Sequence, residues 1–262
     1  MFKRIPRFTV MILSFIILIS GASSAQWTEN GLKISTEVTW HYDPQIIADG
    51  SGHTITLWLS DLSGVVAQKL DGDGTAMWPS GGRPVGLIGF DHQAISDGSG
   101  GAIVCTAFGT VNVQRIDADG TALWVLGGTD LQAVGAGDPQ IISDGLGGAF
   151  LCWADGRSGT GGDIFAQHVS STGTVLLLPG GIPVCTAVGD QENPQMISDG
   201  DGGAIITWED SRSGTNEDVY AQHVSAEGLV QWTQNGVGVC TTTEDQYNPH
   251  LAADGAGGAI VT

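Results

Sequence analysis

Basic residues are what this sequence has least of: 9 Lys and Arg stand against 28 Asp and Glu, a formal net charge of −19 over 262 residues. A surface so acidic repels phosphate backbones and anionic lipid, which excludes nucleic acid as a natural partner; calcium or a cationic surface would suit it better. Long apolar runs are also missing beyond residue 25, so no membrane insertion is expected of the chain after that point. Helical patterning is absent as well. Apolar runs are too short for three helical turns, and glycine, 41 residues in all, recurs every few positions.

The N-terminus is the exception to the missing apolar runs. "MFKRIPR", the run "FTVMILSFIILIS" and "GASSA" have the three-part build of a secretory signal peptide, with cleavage expected after Ala25. Residues 1–25 are therefore set apart from 26–262, and the mature chain is expected to be secreted or held at the cell surface. Cys105, Cys152, Cys185 and Cys240 would then meet an environment where disulfides are permitted. Cys105 and Cys152 occupy one repeat position, Cys185 and Cys240 another, and equivalent positions in successive repeats stand too far apart for a bond that needs Cα atoms within about 7 Å. Small buried hydrophobes are the simpler reading. A Cys152–Cys185 bridge stays open.

What the sequence does have is repetition. "ISDGLGGAFLCWADGRSG" at 142–159 returns as "ISDGDGGAIITWEDSRSG" at 197–214. The Asp-Gly landmark falls at Asp49, Asp97, Asp144, Asp199 and Asp254, with steps of 48, 47, 55 and 55 residues. Gln68, Gln114, Gln167 and Gln222 form a second landmark, and Trp27, Trp78, Trp124 and Trp232 a third, with Leu177 in the gap. Three landmarks in one cyclic order define tandem units of about fifty residues. Each unit reads as four strands: "PQMIS", "AIITW" after the turn "DGDGG", "DVYAQHV" after a loop, and "LVQW" continuing into "VGVCT". The predicted fold is therefore all-β, a β-propeller of four-stranded blades with four full units and partial units at both ends. The chain opens on a fourth strand and closes inside a second one, which leads us to expect further repeats after Thr262.

The phrases "PQIISDGLGGAFLCWADGRSG", "DIFAQHVSSTG" and "QWTQNGVGVCTTTEDQYNPH" resemble the repeats of large exported bacterial surface proteins of Bacteroidetes-like lineages, built of tandem β-propeller-type units. The resemblance covers 26–262 and is strongest from 138 onward. It implies an architecture and an exported location, and no reaction.

Trp153, Asp155 and Arg157 recur as Trp208, Asp210 and Arg212, each set followed by an aspartate at Asp163 or Asp218. Two carboxylates could serve as the acid and base of a sugar hydrolase. Recurrence favours a structural role, with Asp and Arg tying a loop and Trp packed between sheets. Gln167 and Gln222 belong to the same structural set. The "DGSGG" and "DGLGG" turns lack the Lys-Ser of a phosphate loop and lead into strands. Asp71 and Asp73, with Asp117 and Asp119, echo the start of a calcium loop but lack its closing glutamate, so only a loose calcium site would be expected. His168 and His223 share one repeat position, whereas His41, His53, His92 and His250 are individual departures. No histidine pair has metal-ligand spacing. His92 and His250 sit at the "NPQ" site before the first strand, where unit-specific function would show.

No Gly-x-Ser-x-Gly nucleophile is present. The expectation is thus a non-catalytic module for binding or display, its partner an unidentified protein or glycan, or else a structural spacer of a larger surface protein. A glycoside hydrolase or sialidase-like propeller is the enzyme alternative, and it requires unrepeated carboxylates converging at the channel mouth.

Overall fold

The computed structural model describes residues 33–35, 40–159 and 161–262. Residues 1–25, expected to be a signal peptide, lie outside them.

The first unit forms β1 (His41–Ala48), β2 (Thr54–Ser60), β3 (Gly64–Leu70) and β4 (Arg83–Pro84). The second forms β5 (Phe90–Ser96), β6 (Ala102–Ala107), β7 (Val111–Ile116) and β8 (Thr129–Asp130). The third forms β9 (Gly137–Ser143), β10 (Ala149–Asp155), β11 (Asp163–Val169) and β12 (Ile182–Cys185), and the fourth β13 (Gln191–Ser198), β14 (Ala204–Asp210), β15 (Asp218–Val224) and β16 (Val237–Cys240). A fifth sheet holds β17 (Leu251–Ala253) and β18 (Ala259–Val261). Strands pair in sequence order and antiparallel throughout, so each unit is one meander, the blade of a β-propeller. The first strands of successive units, β1, β5, β9, β13 and β17, lie side by side.

Why the second and third strands read as near-continuous apolar runs is clear from the packing. Alternate residues of β10 divide between two interfaces: Ala149, Leu151 and Trp153 face the second blade, Phe150 and Cys152 the fourth. Both faces of the strand are buried, so the usual apolar–polar alternation disappears. Three such interfaces form the core.

Each repeat landmark has a bonding job. The Asp-Gly aspartate closes its own turn: Asp144 Oδ1 accepts from the amides of Leu146 and Gly148 at 2.7 and 2.9 Å. Asp199 does the same with Asp201 and Gly203. Gly148 cannot be replaced, because a Cβ there would lie 2.3 Å from the Val169 carbonyl oxygen. The buried glutamine ties the third strand to the segment ten residues on. Gln167 Oε1 accepts from the amides of His168 and Leu177, and its Nε2 donates to the Leu178 carbonyl at 2.8 Å. The same three bonds recur at Gln222.

That side chain also explains a difference from the expected strands. "LVQW" makes only an isolated bridge, Val224 to Val230, because Gln222 supplies the acceptor for the Trp232 amide that a neighbouring strand would otherwise supply. The fourth strand is the short "VGVC" alone. All four cysteines are free, so no Cys152–Cys185 bridge forms. Burial pushes the thiol of Cys105 up to about 12 and that of Cys185 up to about 11.

Candidate functional site

The site begins with a backbone irregularity shared by the first four units. Where their first strands enter the sheets, the register slips, between Tyr42 and Gln45, between Phe90 and Gln93, between Gly137 and Gln140, and between Glu192 and Gln195. At the slip sits a residue with positive φ: Asp43 at 48°, Asp91 at 49°, Asp138 at 51° and Asn193 at 51°, with Asn248 at 54° in the same position of the fifth unit. Aspartate and asparagine tolerate that left-handed conformation better than other side chains, and a bulge of this kind re-aims the residue it carries. All five residues line a single cavity of about 420 Å³. The backbone would accept asparagine at every position, as it does in the fourth and fifth units. Three carboxylates in one cavity therefore exceed what the fold needs.

The charges there are not independent. Burial, together with the neighbouring Asp91 and Glu209, pushes the Asp138 carboxyl above the ordinary aspartate range. Glu209 is buried just behind the wall, accepting from Asn193 Nδ2 at 2.8 Å and from the Asn248 amide at 2.7 Å. It stands on β14 opposite Glu192 of β13. Burial and the surrounding carboxylates Asp190, Asp138 and Glu209 raise Glu192 as well. Neither glutamate is repeated: the positions equivalent to Glu209 hold Leu59, Ala107 and Ala154. Neither glutamate lines the cavity; the carboxylates that do, Asp43, Asp91 and Asp138, occupy one recurring position.

His92 adds a second sign of a ligand. It replaces the proline of the repeat, is 1 % exposed, and lines the cavity with neither ring nitrogen bonded to protein. Burial holds its pKa below the ordinary histidine value, against the pull of Asp43 and Asp91. His250, the other departure at that site, lines the same cavity.

The other sequence-derived positions lie elsewhere. Asp155 accepts from Trp153 Nε1 at 3.2 Å and from the Arg157 amide at 2.8 Å, and pairs with the Arg157 guanidinium, which stacks 4.1 Å from the Phe165 ring centre. Asp210, Trp208 and Arg212 repeat the arrangement, with Arg212 3.7 Å over Tyr220. These groups tie the loops of the third and fourth blades and do not reach the cavity. Burial raises the Asp163 carboxyl on the neighbouring strand. Asp71 Oδ1 accepts from the amides of Asp73 and Thr75, and Asp117 Oδ1 from those of Asp119 and Thr121. Ser170 Oγ accepts from the Thr172 and Thr174 amides in the same way, so a serine suffices for this turn. Among the described residues no group of three or more His, Cys, Asp or Glu side chains could hold a metal ion. His168 and His223 pair with Asp144 and Asp199.

No protein-family model matches the sequence, and no curated protein matches it. Solved structures of similar fold include an endo-arabinase from Bacteroides thetaiotaomicron, 14% identical, with 87% of this chain and 89% of that one covered at a TM-score of 0.42. An α-L-arabinofuranosidase from Lactobacillus brevis is 11% identical, with 84% and 82% covered at a TM-score of 0.42. The Bacteroides ovatus xyloglucan PUL protein GH43B is 14% identical at a TM-score of 0.39; 82% of this chain is covered, but it spans only 48% of that longer one. At such identities the likeness is one of fold. These proteins are glycoside hydrolases, against the expectation of a non-catalytic module for binding or display. The sequence reading kept the "NPQ" site for unit-specific function at His92 and His250 and assigned the other recurring groups to structure. The "NPQ" site recurs too, yet it varies between Asp and Asn, and that variation was the available signal. Among the described residues no helix is long and apolar enough to cross a membrane.

Proposed function

We propose that the cavity shared by Asp43, Asp91 and Asp138 is the catalytic centre of a glycoside hydrolase acting on a neutral glycan. The observation that carries this reading is the raised Asp138 carboxyl, which shares one cavity with two further aspartates and a buried histidine without a protein partner. Two carboxyl groups with different proton affinities are what acid and base catalysis of glycosidic cleavage needs.

Asp138, held protonated longer by Asp91 and Glu209, donates its proton to the glycosidic oxygen as the bond from that oxygen to the anomeric carbon breaks. Asp43 stands on β1, separated from β9 by β5, and so faces the bond from another side of the cavity. Its carboxylate takes a proton from the water that attacks the anomeric carbon. The leaving sugar departs with the proton of Asp138, the water oxygen remains on the anomeric carbon, and solvent returns the proton from Asp43 to Asp138. His92, neutral at its lowered pKa, offers one donor and one acceptor for a sugar hydroxyl. The strongly acidic surface favours an uncharged substrate over an acidic one.

The test is release of reducing sugar from a panel of arabinose- and xylose-containing glycosides, with Asp138→Asn and Asp43→Asn beside the unaltered protein. Release by the unaltered protein and a fall of about 100-fold or more in each variant is the expected result. Equal rates in all three proteins, or no release from any substrate, would overturn the reading.

A further inference from the structure

The repeat breaks down on one side of the cavity. In the third and fourth units the connection after the second strand runs over seven residues, 156–162 and 211–217, and is tied by the Asp155–Arg157 and Asp210–Arg212 pairs. In the first and second units it is three residues long, 61–63 and 108–110, and the clamp is gone: Ser60 and Phe108 stand where those aspartates stand. Trp58 Nε1, whose equivalents donate to Asp155 and Asp210, is left without a partner.

The shortened loops leave a groove of about 350 Å³ between the first two blades, with Tyr42, Leu62, Ile88, Phe90 and Phe108 on its walls. Its apolar surface is open: Phe90 is 59% exposed and Phe108 64%, their rings edge to face with centres 5.5 Å apart. Tyr42 and Phe90 immediately precede Asp43 and Asp91, so groove and cavity are lined by neighbouring residues of the same two strands.

We infer that this groove is a binding track for a neutral polysaccharide, holding the sugar units that flank the one in the cavity. The inference rests on the hydrolase reading for its direction, with one end of the chain at Asp43 and Asp91. Flat aromatic faces accept the C–H faces of pyranose or furanose rings, while Ser63 and Asp61 at the rim meet the hydroxyls. Asp61 is the only charged group in the lining, and on a chain of net charge −19 it disfavours an anionic polymer. The preferred ligand is therefore an oligomer rather than a single sugar.

Binding, not turnover, separates this inference from the hydrolase reading. Titration calorimetry with neutral xylo-, arabino- and gluco-oligosaccharides of one to six units is made on the Asp138→Asn protein, which leaves the groove intact. The same titrations follow with Phe90→Ala, Phe108→Ala and Phe108→Leu added singly. Affinity should rise with length in at least one series. Each alanine variant should weaken the hexamer about tenfold, corresponding to roughly 1.4 kcal/mol, and leave the monosaccharide unchanged. Phe108→Leu keeps the apolar volume and loses the flat face, so it should weaken the hexamer too. Both phenylalanines are exposed, and unchanged melting temperatures will show that the fold is retained. Affinity independent of length, variants that bind as the parent does, or no binding in any series would overturn the track. Self-association abolished by Phe108→Ala would also overturn it, by assigning the groove to a second copy of the chain. If oligomers bind by length but nothing is cleaved by the unaltered protein, the track stands and the hydrolase reading fails. Cleavage that ignores Phe90 and Phe108 on long substrates has the opposite meaning.

Discussion

Asp138 shows at the scale of one residue how function and stability oppose each other. Its folded-state pKa is raised, so the native protein binds a proton there more tightly than the unfolded chain does. The cost to stability is absent below the ordinary aspartate value and complete above the raised one. Asp138→Asn removes that cost, so the variant should melt higher than its parent near neutral pH. The two melting temperatures should converge as pH falls below the ordinary aspartate range. A general acid must also be protonated, so hydrolysis should decline on the alkaline side as Asp138 loses its proton. A pH series of melting temperatures and initial rates checks both. Gln167 makes the opposite case, a buried residue with a purely structural task. Gln167→Leu strands the amides of His168 and Leu177, and urea unfolding should show a loss of about 1–3 kcal/mol.

The blade is tied to its neighbour by a nitrogen-bearing side chain that recurs at one register position of the third strand. Lys69 Nζ lies 2.7 Å from Asp49 Oδ2 and donates to the Gly100 carbonyl of the next blade. Arg115 joins Asp97 to the Ser171 carbonyl, and His168 joins Asp144 to the Ala226 carbonyl. Both ring nitrogens of His168 thus face acceptors, the pattern that its lysine and arginine counterparts satisfy with permanent charge. Lys69→Met leaves the buried Asp49 carboxylate with His53 Nδ1, Ser51 and two amides as its remaining partners, and chemical denaturation at neutral pH should show a loss of about 1–3 kcal/mol. Asp49 is held far below its usual pKa by Lys69, Ser51 and the Ser51 and His53 amides, against the penalty of burial. Its contribution is present above the ordinary carboxylate value and lost as pH falls beneath it. The deficit of Lys69→Met should accordingly shrink in acid.

For the whole molecule, the dominant long-range term is self-repulsion among 28 acidic residues. Salt screens such repulsion over about 10 Å at 0.1 M, so the melting temperature should rise from very low to physiological ionic strength. Calorimetry across a sodium chloride series checks it; a fall would mean that ion pairs such as Lys69–Asp49 outweigh the repulsion. The acid cluster around Asp43, Asp91, Asp138 and Glu209 is the densest cause of it near the cavity.

Much of this was legible in the amino-acid order. The spacing of Asp49, Asp97, Asp144, Asp199 and Asp254 determined the units, and their strands follow from short β-branched runs between Asp-Gly turns, because turn and strand chemistry is local. The clamps of Trp153, Asp155 and Arg157 could be read as structural from their recurrence. What only the tertiary structure decided is convergence. Asp43, Asp91 and Asp138 are separated by a whole unit each, and only the side-by-side arrangement of the first strands brings them to one cavity with His92 and beside Glu209. A raised carboxyl pKa comes from that proximity and burial, and neither is a property of any residue's neighbours along the chain.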